Sequence, residues 1–189
     1  MPSLIYSMIV SLDGFIEDPR HSLDWVIIDR ELHQFINDQQ AGIGAFLYGR
    51  GMYENMSAYW PTADTDPDAT DYTLEWAHLW EAMPKIVFST TLKKVEWNSR
   101  LVKENAVEEV KKLKAQPGKD LAVSGAGLAA AFIKFGLVDE FQLFVHPVVL
   151  GGGKPFFPAM DQPIHLRLVE THPFASGVVL LRYQKEKIS

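Results

Sequence analysis

The stretch from Leu121 to Ile133, "LAVSGAGLAAAFI", passes from a short apolar segment with strand character into an alanine-rich segment with helical character. Between the two stand Ser124, Gly125, Ala126 and Gly127, four residues with almost no side chain. A helix N-terminus carries unpaired N–H groups and a partial positive charge, so a junction stripped of side chains lets an anion come up to the backbone. A tight turn with close helix-to-sheet packing would select the same glycines. The surroundings of the junction have to decide between these readings.

Gly125, Gly127 and Ala130 satisfy G-x-G-x-x-A, the dinucleotide fingerprint of Rossmann folds. That fingerprint belongs in a first strand-helix-strand unit, with an acidic residue closing the next strand about 20 residues on. Here it lies two-thirds along the chain, and the strand that follows ends at His146-Pro147. A Rossmann fold is therefore not expected.

The flanking sequence supplies alternating strands and helices. "SLIYSMIVS" (Ser3–Ser11) is continuously apolar and suits a central strand buried on both faces. Ile28, Leu32, Phe35 and Ile36 recur at helical spacing, with Asp29 placed as the cap. "AFLYGR" (45–50) and "KIVFST" (85–90) read as further buried strands, the former followed by a short helix through "MYENM". Pro61–Asp71 reads as loop and Tyr72–Met83 as an amphipathic helix, an insert that could act as a lid. "NAVEEVKKLKAQPG" is expected to be a helix, with Asn105 and Glu108 at capping-box spacing and Pro117-Gly118 as its stop. Gly136 ends the helix that begins at the bare junction, "EFQLFVHPVVL" alternates like a strand, and "IHLRLVETH" and "GVVLLRYQKE" form a terminal hairpin. The pattern predicts one α/β domain over residues 1–189, with a mixed sheet.

Composition narrows the partners. The 189 residues are 47% hydrophobic and 22% charged, with a net charge of −6 and no cysteine. Disulfides and thiolate metal sites are excluded, and nothing attracts nucleic acid. No two of the six histidines (21, 33, 78, 146, 165 and 172) stand four apart, so no helical metal site is expected. No apolar run reaches the roughly 20 residues of a membrane span, and the start "MPSLIYSMIVSLDG" lacks a basic leader, so a cytoplasmic protein is expected. Small molecules, or copies of the chain itself, remain as partners.

Four segments taken in order, "SLDGFI", "YGRGMYE", "KIVFSTTL" and "VSGAGLAAAFIKFGLVDEFQLFVHPVVLGGGKPFF", resemble the dihydrofolate reductase-like superfamily. The resemblance spans nearly the whole chain, and is nearest to the reductase domain of the bifunctional riboflavin-biosynthesis deaminase-reductase. It implies a three-layer α/β/α fold around a mostly parallel sheet with a C-terminal antiparallel hairpin, and NADPH as cofactor. It implies that the backbone of Ser124, Gly125, Ala126, Gly127 and Leu128 faces the pyrophosphate. Gly49 and Arg50, with Ser89, Thr90 and Thr91, would then meet the 2′-phosphate or ribose. Read as residues alone, Arg50 could equally be a surface ion-pair partner and Thr91 a turn residue. Met52 stands where the family carries threonine, which removes one side-chain contact to phosphate, and Ala126 replaces a commoner glycine.

The resemblance further implies reduction of a pyrimidine- or pterin-like compound, of the 5-amino-6-(5-phosphoribosylamino)uracil reductase type. Dihydrofolate reductase is one alternative, although Met83 stands where that enzyme holds its substrate's glutamate with arginine. A non-catalytic NADPH sensor or scaffold is another. "DWVIIDRELHQF" resembles the segment with tryptophan and a proton-handling acid, which places Glu31 at the acidic position and Asp29 beside it. Helix capping explains such a carboxylate equally well. Asp13, just past the first strand, could orient the ring or the nicotinamide ribose, or close an Asx-turn. Gly151, Gly152 and Gly153 read as an architectural turn. The late strands carry apolar residues on both alternating sets, including Val178 and Leu180, so they are covered either by helices or by a second copy; the terminal hairpin has no sequence after it to provide such a helix, and a twofold dimer is expected.

Overall fold

A computed structural model describes residues 1–186. In chain order the elements are β1 (Leu4–Ser11), β2 (Phe15–Glu17), α1 (Arg30–Gln39), β3 (Ile43–Gly49), α2 (Arg50–Tyr59), α3 (Asp71–Ala82), β4 (Lys85–Phe88) and β5 (Ser99–Val102). They continue with α4 (Ala106–Ala115), β6 (Asp120–Ser124), α5 (Ala126–Lys134), β7 (Glu140–His146), β8 (Lys154–Pro155), β9 (Leu166–Pro173) and β10 (Val179–Lys185). Eight strands form one sheet in the order β5-β4-β3-β6-β1-β7-β10-β9, and β2 pairs with β8. The first six of that order run parallel, whereas β10 is antiparallel to both β7 and β9. The continuously apolar β1 lies between β6 and β7, where both of its faces are needed.

Strand alternation divides the core into two layers. Leu4, Tyr6, Val10, Leu47, Leu121, Val123 and Phe141 face Ala129, Phe132 and Ile133 of α5 and Val110 of α4. Ile5, Phe46, Tyr48, Val87 and Ala122 face Tyr53 of α2 and Trp80 of α3. Leu32 of α1 packs on Phe144, Phe174, Val178 and Leu180. Asp29 caps α1 as expected, accepting the Leu32 N–H at 2.9 Å. Gly136 ends α5 at φ +68°, donating to Ile133 while Leu137 donates to Phe132, the paired bonds of a Schellman stop.

Several expectations need correction. Val178 and Leu180 are wholly buried beneath α1, so the helix that covers the terminal hairpin comes from the early chain and no second copy is needed for these residues. Ser99–Val102 is an edge strand that the sequence reading passed over, because "SRLV" is short and half exposed. The capping box on α4 does not form: Asn105 sits in the left-handed region (φ 58°) and its side chain makes no cap bond. The Pro61–Asp71 segment is partly helical, with a 3₁₀ turn over Trp60–Thr65. The strand in "KIVFST" stops at Phe88 and frees Ser89 and Thr90.

The insert is a fastened wall in this conformation. Arg30 pairs with Asp71 at 2.7 Å, Gln34 donates to Glu75 at 2.8 Å, and buried Asn37 donates to the Tyr72 carbonyl at 2.9 Å. At the other end of α3, buried Lys85 donates to the carbonyls of Trp80 and Met83, satisfying a helix end that would otherwise be orphaned. Burial pushes the Lys85 ammonium down, to about 8.

Candidate active site

Parallel pairing sets Tyr48 beside Ser124, Gly49 beside Phe88, and Phe88 beside Val102, so four strands end together. Three helices begin at or near that edge: α2 behind Gly49, α5 behind Gly125, and α4 behind Asn105. Among the described residues none of these three has a side-chain cap, whereas α1 and α3, which start elsewhere, are capped by Asp29 and Thr70. The orphan amides at the strand ends are thereby left for something else.

The two bare junctions touch. A Cβ placed on Gly49 would lie 3.6 Å from Leu128 Cβ, and one on Gly125 would lie 3.5 Å from Met52 Cβ, so α2 and α5 start side by side. Gly125 adopts φ +98°, a conformation that glycine takes without steric cost. Its own N–H is turned to Met8 Sδ at 3.4 Å, so the first-turn donors of Ala126, Gly127 and Leu128 are the ones that remain. Ala126 is the first residue of the helix, which a side chain of its size tolerates. Nothing lies within 4 Å of a Cβ built on Gly51 or Gly127, leaving space over the junction.

A cavity of 410 Å³ beside this junction is lined by Arg50, Ser89, Thr90, Thr91, Lys103 and Asn105, among others. Arg50 donates to Glu54 at 2.8 Å and to Thr91 Oγ1 at 3.1 Å, and Ser89 Oγ accepts the Thr91 and Leu92 amides. The structure therefore brings Arg50, Ser89, Thr90 and Thr91 together, and both alternative readings of Arg50 and Thr91 also hold as local geometry. Lys103 escaped the sequence reading because it follows the strand that was passed over.

A second cavity, of 550 Å³, lies over the opposite face of β1, β3 and β6. Phe46 anchors its wall, stacked on Tyr48 (5.6 Å, 26°) and on Trp76 (6.0 Å, 23°). Ile5, Ile9, Ile28, Ile36, Met52 and Met56 add apolar surface, and Ser7, Asn55, Ser124 and Gln142 add neutral polar groups. Met52 belongs to this cavity and also abuts Gly125, so the apolar cavity reaches the helix junction.

Neither Asp13 nor Glu31 lines either cavity. Glu31 accepts the Ala175 N–H at 3.0 Å and ties α1 to the hairpin turn. Asp13 accepts from the Ser11 hydroxyl (2.7 Å) and from the amides of Leu150 (3.1 Å) and Gly151 (2.7 Å). It fastens the triple-glycine loop to the end of β1, a longer reach than the expected Asx-turn. The Ser11 hydroxyl first, and then the two amides, hold the exposed Asp13 carboxyl below its usual range. A lowered carboxylate contributes above its ordinary range and loses that contribution as pH falls through the lowered value. Asp13→Ala at neutral pH should therefore lower the protection of the Leu150 and Gly151 amides relative to their intrinsic exchange rates, and acidifying the native protein should lower that protection too; unchanged protection in both would remove the latch.

Sequence reasoning also missed His146. Its ring is wholly buried, with its two nitrogens each 3.0 Å from a carbonyl, those of Phe144 and Ile27, and Trp25 meets it edge-on at 5.6 Å. The contact secures the strap whose Leu23, Val26 and Ile28 line the second cavity. A histidine before proline carries no local signal of that role.

The uncapped junction lies at the C-terminal ends of a mostly parallel sheet, and the fold that carries it is dihydrofolate reductase-like. Residues 2–180 match the family model of the RibD C-terminal domain, and the chain belongs to that family. An uncharacterized protein of Bacillus subtilis, YyaP, is 40% identical over 183 residues, 95% of this chain and 93% of that protein. A putative riboflavin biosynthesis protein from Shewanella sp. PV-4 superposes with a TM-score of 0.76 at 23% identity, covering 99% of this chain and 100% of that one. Dihydrofolate reductase of Enterococcus faecalis, solved with NADP(H), superposes with a TM-score of 0.63 at 15% identity, covering 98% and 97%. At these identities the two structures speak for the fold. Among the described residues, no helix is long and apolar enough to cross a membrane.

Proposed function

We propose that this chain is an NADPH-dependent reductase of a small pyrimidine- or pterin-like ring, related in its chemistry to the riboflavin-pathway reductases. The observation that carries the reading is the pair of uncapped helix starts, α2 and α5, in contact at Met52 and Gly125, with Met52 lining the apolar cavity and Arg50, at the start of α2, lining the polar one. The amides of Ala126, Gly127 and Leu128, with those opening α2 after Gly49, would hold the pyrophosphate. Arg50, Ser89, Thr90 and Thr91 would hold the 2′-phosphate. When bound, NADPH would supply a hydride to an electrophilic carbon of the acceptor, with a proton going to the adjacent heteroatom.

The chain's own residues position and shield that event. The aromatic wall and Ile5, Ile9 and Ile28 exclude water. Ser7 and Ser124 offer hydroxyls, and the Tyr48 hydroxyl stays protonated because burial pushes its pKa up. Asp13 and Glu31 would act at one remove, by fixing the glycine loop and α1.

Addition of NADPH should raise the melting temperature; occupancy at one hundred times Kd corresponds to about 2.7 kcal/mol. No shift at millimolar NADPH would end the proposal. Arg50→Ala should weaken NADPH by about 1.5–3 kcal/mol while leaving NADH nearly unchanged, because only the former carries the extra phosphate. Equal losses for both would assign Arg50 to the shared pyrophosphate. Met52 in place of a phosphate-binding side chain favours a second reading, a non-catalytic NADPH binder, which turnover with any acceptor would exclude.

A twofold dimer is also proposed. The outermost strand, β9, presents Leu168 and Val169 at 49% and 40% exposure on an edge that is unpaired among the described residues. Light scattering should give twice the 21.3 kDa chain mass; a species at the chain mass would refute it.

A further inference from the structure

We infer that the 550 Å³ cavity selects a neutral, planar ring that carries neither phosphate nor carboxylate. The inference takes its redox chemistry from the reductase reading, but its geometry stands independently.

Among the described residues, two that line the cavity are charged at neutral pH, and both are engaged. Arg182 donates to Glu140 at 2.9 Å and to Glu170 at 2.6 Å, so the cluster of one cation and two carboxylates is net negative. Asp120 Oδ1 accepts the Ser3 amide at 2.7 Å and adds a further negative charge. An anionic substituent entering there would meet one cation already held by two carboxylates, and elsewhere isoleucine, methionine and aromatic carbon, with no uncommitted cation among the described residues to offset its lost hydration. The polar cavity is the internal contrast: Arg50, paired with Glu54, and Lys103 stand there with one lining carboxylate, Glu104, and three hydroxyl groups. Among the described residues, phosphate-binding chemistry is thus concentrated in the polar cavity. The Trp76–Phe46–Tyr48 stack supplies flat apolar faces, and Ser7, Asn55, Ser124 and Gln142 supply the neutral hydrogen bonds that a heteroaromatic ring needs.

The test uses the full chain and a matched pair of probes, lumazine and 6-carboxylumazine, titrated calorimetrically at slightly acidic pH. Lumazine is then neutral, and its partner carries one carboxylate on the same bicyclic ring. Lumazine is expected to bind more tightly by on the order of tenfold or more. Equal or tighter binding of the carboxylated probe overturns the inference, as does failure of lumazine to bind at millimolar concentration. Trp76→Leu should weaken lumazine by about tenfold and leave NADPH binding unchanged, which also certifies that the variant is folded. Undiminished lumazine binding by that folded variant would place the ring elsewhere and overturn the assignment. If Trp76→Leu fails to fold, the comparison on the native protein decides alone. Loss of the NADPH melting shift with the lumazine preference intact would sink the reductase reading only.

Discussion

Arg182→Leu is expected to destabilise the protein by about 3 kcal/mol, the lower end of the cost of stripping one partner from a buried ion pair. The lower end applies because the guanidinium keeps 28% side-chain exposure, whereas the Glu140 carboxylate keeps 6%. In the native protein burial raises Glu140, but bonds from Arg182, Gln142 and Gln184 outweigh it and hold the carboxyl below its usual range. The resulting contribution is present above the ordinary glutamate range and is lost as pH falls through the lowered value. In the leucine variant burial acts with less opposition and raises Glu140, so the sign reverses and acidification from neutrality should recover part of the lost stability. Adding Glu140→Gln should recover it at all pH values. Urea denaturation across the pH series checks all three outcomes, and parallel pH profiles for the native and variant proteins would show that the pair is not coupled.

Gly153→Ala should cost about 3 kcal/mol, from backbone strain together with overpacking. Gly153 adopts φ +133°, and a Cβ there would lie 1.9 Å from the Glu17 carbonyl oxygen, which is backbone and has no rotamer to escape into. The clash pushes β2 from β8, where Glu17 faces Lys154, and drags on the loop that Asp13 holds. Gly51→Ala is the control: its Cβ meets nothing within 4 Å and it lies inside α2, so its melting temperature should match or exceed that of the native protein. A native-like melting temperature for Gly153→Ala would mean that the loop accommodates freely and is not the architectural turn described.

Much of the fold was legible because its signals are local. The apolar run of β1, the spacing of Leu32 and Ile36 behind Asp29, and Gly136 at the end of α5 each depend on residues within a turn or two of one another. What failed depended on distant chain. "SRLV" becomes a strand only by pairing with β4, and Asn105 was read as a cap although the tertiary path holds it left-handed.

The same division runs through the site. By itself the sequence determined that a side-chain-free junction starts a helix at Gly125, that a strand running to Arg50 hands over to another helix, and that hydroxyl residues follow the strand at Lys85. Those are consequences of residue type and spacing. Only the tertiary structure decided that Gly49 meets Leu128 and Gly125 meets Met52, that Gly125 gives its N–H to Met8, and that Arg182 is consumed by Glu140 and Glu170. It also decided that the terminal hairpin lies under a helix formed some 140 residues earlier in the chain. Side-chain pairing across a sheet is set by strand order, and strand order is a property of the whole folded chain that no local pattern encodes.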